Sequence, residues 1–192
     1  MVKKFIKIFL IGVGIFWICI QTMYAQIVQP VHIQELENHR NDIIPYSEID
    51  RQVTMQPQNR IRSRNLTSEI IGYLPYWMYS AYPDLRYDLL TQINYFSAEL
   101  NQYGDIINSH NWANLGLIEY AQSQGVKVKL TAVLFDADEL TVLLSSVVNR
   151  QNAIDNLLTA VAEVNADGVD IDFETLPLHQ RENLVIFMTD LV

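Results

Sequence analysis

Asp167-Gly168-Val169-Asp170-Ile171-Asp172-Phe173-Glu174 carries an acid at every second position from 170 to 174, with apolar residues between them. In an extended strand, alternate side chains point to one face. Asp170, Asp172 and Glu174 therefore share a face, and Val169, Ile171 and Phe173 share the other. Burying unpaired charge is expensive, so a strand of this kind needs a polar cavity, and chemistry is the natural reason to build one. Two plainer readings compete. The acids could line the solvent face of an exposed strand. They could form a calcium loop, but such a loop has its glycine after the third ligand and polar residues around it. Here Gly168 precedes the acids, and Val169, Ile171 and Phe173 are strand formers.

The texture upstream supports the strand. Ile70 to Leu74, ended by Pro75, reads as strand one, and Gln92 to Leu100 as strand two. Trp112 to Gln124 has helical spacing through Leu115, Ile118 and Ala121, with Gly125 as terminator. Val126 to Phe135 reads as strand three. Asn149 is a plausible cap for a helix whose stripe is Ile154, Leu157, Leu158 and Val161. Gly168 to Glu174 is strand four, and a last amphipathic segment runs through Leu184, Phe187, Met188 and Leu191. Strands alternating with helices over short connections indicate an α/β fold with a parallel sheet. A doubly wound sheet would give the same alternation, although its glycine-rich phosphate-binding fingerprint is missing.

The octapeptide resembles the DGxDxDxE signature of family 18 glycoside hydrolases, the chitinase-like enzymes, with every fixed position filled. The resemblance runs from about Glu69 to the end of the chain. It implies a TIM (β/α)8 barrel in which the motif ends the fourth strand. A complete barrel needs eight such units, typically ~250 residues, and this chain stops after about four. A truncated barrel, 69–192, is thus expected, with edge strands and apolar surface left uncovered.

Active sites of such barrels lie at the C-terminal ends of the strands. Glu174 is then at the mouth, with Asp172 and Asp170 successively deeper. Like charges at this spacing raise at least one pKa of the set, as a general acid requires. The resemblance implies substrate-assisted retaining hydrolysis. Glu174 protonates the leaving oxygen, the sugar's own 2-acetamido group attacks, Asp172 orients that group, and Asp170 supports Asp172. The implied substrates are N-acetylglucosamine-containing glycans: chitin, peptidoglycan or N-glycan cores. Tyr73, Tyr76 and Trp77 follow strand one and are candidate substrate-binding aromatics, with rim packing as the alternative for Tyr76 and Trp77. Glu99 could reach the mouth but reads more simply as a surface acid. Strand three departs from the family: Thr131 to Asp138 stands where typical chitinases have a serine-glycine-glycine turn. A non-catalytic, chitin-binding relative is the competing reading, although such proteins usually lose the terminal glutamate retained here.

The ends of the chain add context. Lys3, Lys4 and Lys7 precede an apolar run from Phe9 to Ile20, and a cleavage point follows Ala25. Residues 1–25 therefore read as a secretory signal, with an uncleaved anchor as the alternative. Residues 26–68 read as a linker or loosely ordered leader, containing Arg60, Arg62, Arg64 and a glycosylation sequon at Asn65. Cys19 is the single cysteine and lies in the signal, which leaves neither disulfides nor thiol chemistry to the mature chain. His32, His39, His110 and His179 are scattered without ligand spacing, so neither metal nor cofactor is expected. The formal net charge of -9 disfavours nucleic acid as a partner.

Overall fold

The computed structural model describes residues 29–54 and 67–192. The expected signal, its cleavage point, the arginine cluster and the sequon lie outside the described residues. The chain divides into two units, Met1–Asn38 and His39–Val192. Helix α1 (Val31–His39) supplies the described part of the first unit, and its last residue enters the second. Among the described residues no helix is long and apolar enough to cross a membrane.

The second unit is organised around four parallel strands, β1 (Ile71–Pro75), β2 (Gln92–Leu100), β4 (Lys127–Val133) and β5 (Gly168–Asp172). A short β3 (Ile106–Asn108) runs antiparallel along β2. The parallel strands lie side by side in chain order. A doubly wound sheet reverses its strand order at a switch point, and this sheet does not. It winds in one direction, as a barrel does.

Alternation assigns the two faces. Val128, Leu130 and Ala132 of β4 and Ile93 and Tyr95 of β2 are buried on the outer face. Three helices supply the apolar cover: α3 (Gly116–Ser123), α4 (Ala137–Ser145) and α5 (Val147–Glu163). Leu117, Leu140, Leu143, Leu144 and Leu157 on them have no exposed surface. The last helix, α6 (Arg181–Leu191), inserts Phe187, also fully buried.

Local chemistry explains the helix boundaries. Gly125 has φ of +71°, and the Val126 N–H reaches the Ala121 carbonyl at 2.9 Å, so α3 ends in a left-handed glycine turn as its sequence indicates. Asp136 caps α4 by accepting from the N–H groups of Asp138 and Glu139, both at 2.9 Å. That cap ends the third parallel strand two residues before the expected Phe135. The α5 cap is Ser146, not Asn149. Asn149, Asn152 and Asn156 instead donate to the carbonyls of Gln102, Tyr103 and Gly104, tying the turn after β2 to this helix. Gly104 belongs there because a Cβ would lie 2.6 Å from the backbone of α5. Leu158, expected in the apolar stripe, is 47% exposed.

The leader expectation is corrected for residues 31–54, which hold α1 and α2 (Tyr46–Thr54). On α2, Asp50 accepts from the hydroxyls of Tyr79 at 2.7 Å and Tyr82 at 2.9 Å, and from the Gly116 N–H at 3.1 Å.

Candidate active site

The inner face of the sheet is polar where the outer is apolar. Strand register aligns Tyr73, Asn94, Lys129 and Gly168 in one row, and Pro75, Phe96, Thr131 and Asp170 in the next. Asp170 is built in by its neighbours. Its Oδ2 accepts from the Tyr73 hydroxyl at 2.9 Å and from the Thr131 hydroxyl at 3.2 Å. Burial first, and then its bond to Asp170, push the Tyr73 phenol above its ordinary pKa, so it remains a donor. Beneath, the Gln92 amide donates to Asn94 Oδ1 at 2.6 Å.

Asp172 is the last residue of β5, and Glu174 lies just beyond it rather than within the strand. The chain is fixed on both sides of Glu174. Phe173 packs on Phe187 of α6, with ring centroids 5.6 Å apart. Thr175 takes φ of +58°, and its hydroxyl donates to the Phe135 carbonyl beyond β4. Glu174 is thereby held half-buried at the C-terminal mouth of the sheet.

No family model and no curated protein matches the sequence. Solved structures do match. A chitinase from Bacteroides thetaiotaomicron aligns at 25% identity and a TM-score of 0.58, over 64% of this chain and 42% of that one. A chitinase from Cycas revoluta in complex with (GlcNAc)3 aligns at 20% identity and 0.54, over 63% and 39%. A spore cortex-lytic enzyme from Bacillus cereus aligns at 21% and 0.54, over 64% and 31%. The fold is that of a partial family 18 glycoside hydrolase domain. The chain spans less than half the length of each of these neighbours. It holds about the first four β/α units of the family 18 barrel.

In this family 18 frame the three acids all belong to β5 or its C-terminal end, and Tyr73 meets the deepest of them. Tyr76 does not join them. It is 1% exposed, stacks on His110 with centroids 3.6 Å apart, and donates to the His39 carbonyl at 2.6 Å. Burial, and then the nearby Glu99 carboxylate, push its pKa up to about 12. Tyr76 is a packing residue, which corrects its expected substrate contact. Trp77 is half-buried, edge-on to Phe96 at 5.8 Å and stacked on His39 at 4.5 Å.

Two residues gain significance from the structure. Thr131, noted in the sequence only as the start of the stretch that departs from the family, is a second donor to Asp170; its place on the third parallel strand opposite Asp170 was the available signal. Glu99, read as a surface acid, is largely buried. A bulge between Phe96 and Ala98, at Ser97, shifts the register so that Glu99 aligns with Val133 and Asp172. Two strand spacings separate it from Asp172, roughly 10 Å. It meets His110 Nε2 at 2.8 Å, the Asn108 amide at 3.1 Å and Arg40 at 3.7 Å. Burial alone would raise its pKa, but these partners outweigh burial and hold the carboxyl below its ordinary value.

Proposed function

We propose that this chain is the N-terminal half of the catalytic domain of a secreted hydrolase. It cleaves β-linked N-acetylglucosamine-containing glycans with retention of configuration, using the substrate's acetamido group as nucleophile. The observation that carries the reading is the placement of the acids. Asp170 is bonded beneath by Tyr73 and Thr131, Asp172 ends the strand, and Glu174 is pinned at the mouth. The fold likeness to chitinases and a cortex-lytic enzyme supports the substrate class.

Glu174 gives its proton to the glycosidic oxygen as the bond to the anomeric carbon breaks. The acetamido carbonyl oxygen bonds to that carbon from the opposite face, forming an oxazolinium ion. Asp172 accepts from the acetamido N–H, which orients the carbonyl and stabilises the positive charge. Both donors to Asp170 use Oδ2, which leaves Oδ1 to share a proton with Asp172. Glu174, now a carboxylate, takes a proton from water as the water attacks the anomeric carbon and opens the ring. The exposed part of Tyr73 offers a surface for the sugar rings.

The test is Glu174→Gln in the full-length protein. Turnover of GlcNAc oligomers should fall by about 10²–10⁴-fold, the usual worth of a general acid, while oligomer binding persists. Unchanged turnover would refute the assignment. The signal-like residues 1–25 carry the export reading; N-terminal sequencing of secreted material should begin at Gln26.

A further inference from the structure

Within the second unit, residues 39–54 are fastened to the sheet-and-helix body by two separate sets of contacts. One is deep, where Asp50 binds Tyr79, Tyr82 and the start of α3. The other is at the mouth. The His39 imidazole lies flat on the Trp77 indole, with centroids 4.5 Å apart and planes 6° from parallel. The Tyr76 hydroxyl donates to the His39 carbonyl, and Arg40 reaches Glu99 at 3.7 Å. Within the segment, His39 Nδ1 meets Asp42 Oδ2 at 2.6 Å, which fixes the ring.

Trp77 packs against the face of the sheet that carries the acids. It is edge-on to Phe96, and Phe96 shares its row with Thr131 and Asp170. An indole face in that position is a natural stacking surface for a sugar ring. His39 covers one of its two faces.

We propose that residues 39–42 form a strap that occupies the Trp77 stacking surface and shortens the cleft. The domain would then favour short GlcNAc-containing oligosaccharides over long chains. This rests on the hydrolase reading above. A long glycan reaching Trp77 must first lift the imidazole, and the strap resists because its carbonyl is held by Tyr76 and its neighbour by Glu99. The deep anchor at Asp50 keeps the strap in place when the imidazole moves.

The experiment compares kcat/KM for an aryl glycoside of the GlcNAc disaccharide with that for the GlcNAc hexamer, in the full-length protein. His39→Ala should raise the hexamer-to-disaccharide ratio by roughly two- to tenfold, the worth of one ring stack. His39→Phe keeps a ring on Trp77 and should keep the parent ratio. Adding Trp77→Ala to His39→Ala should abolish the gain. If His39→Ala does not fold, Arg40→Ala loosens the same strap and should move the ratio the same way. An unchanged ratio in folded protein that still cleaves the disaccharide substrate would overturn the strap alone. No cleavage of that substrate by the parent would overturn the hydrolase reading, and the strap with it.

Discussion

The two faces of one sheet follow opposite rules. On β4, Val128, Leu130 and Ala132 point outward and have no exposed surface. Between them Lys129 and Thr131 point inward, toward Asn94, Gly168 and Asp170. The outer face meets helices through apolar surface, which stabilises the fold by area removed from water. The inner face meets hydroxyls, amides and carboxylates, which contribute little net stability but fix where charge sits. The same strand thus serves packing and placement at once, one residue out of step.

Substitutions on each face should separate these roles. The largest effect is expected outside. Leu130→Ala should destabilise the unit by about 2–5 kcal/mol, read as a lower denaturation midpoint. A loss under about 1 kcal/mol would mean that the outer face is loosely packed. Inside, Asp170→Asn should lower turnover of GlcNAc oligomers by about a hundredfold, on the scale of removing one electrostatic support of the transition state. Its unfolding midpoint should change little. Equal damage to folding and turnover would erase the distinction between the faces.

The smallest effect concerns Glu99. Its folded pKa lies below the ordinary 4.5 because His110, Arg40 and Asn108 outweigh the burial that opposes them. A depressed carboxyl pKa stabilises the folded state above the unfolded value and loses that contribution as pH falls through the folded value. Solvent screening at this partly exposed cluster keeps the contribution to about 1 kcal/mol or less. Glu99→Gln should therefore be slightly less stable than the parent at pH 7, with the gap closing as the pH falls below the ordinary carboxyl value of 4.5. A gap of constant size across that range would show that the effect is packing rather than charge.

The reach of the sequence follows the same division. Apolar runs and their punctuation marked all four parallel strands, and β2 has the expected ends, Gln92 and Leu100. The acid alternation placed Asp170 and Asp172 on β5, because period-two patterning is a local property. Features set by distant contacts were hidden. Glu99 follows a bulge at Ser97, and strict alternation from Asn94 would have sent it to the outer face. Tyr76 is captured by His39 and His110, at 37 and 34 positions' remove in the chain. Helix α4 starts at its cap, Asp136, directly after the apolar end of β4, so no polar break in the sequence separates the two elements.

The central claim is that Asp170, Asp172 and Glu174, on and just beyond β5, act through the substrate's own acetamido group. Proton NMR of the first product formed from a GlcNAc oligomer, beside the same oligomer with its acetamido groups replaced by free amines, tests this most directly. The account predicts the β-anomer first from the acetylated oligomer and no cleavage of the amine. The α-anomer first, or comparable cleavage of both oligomers, would contradict it.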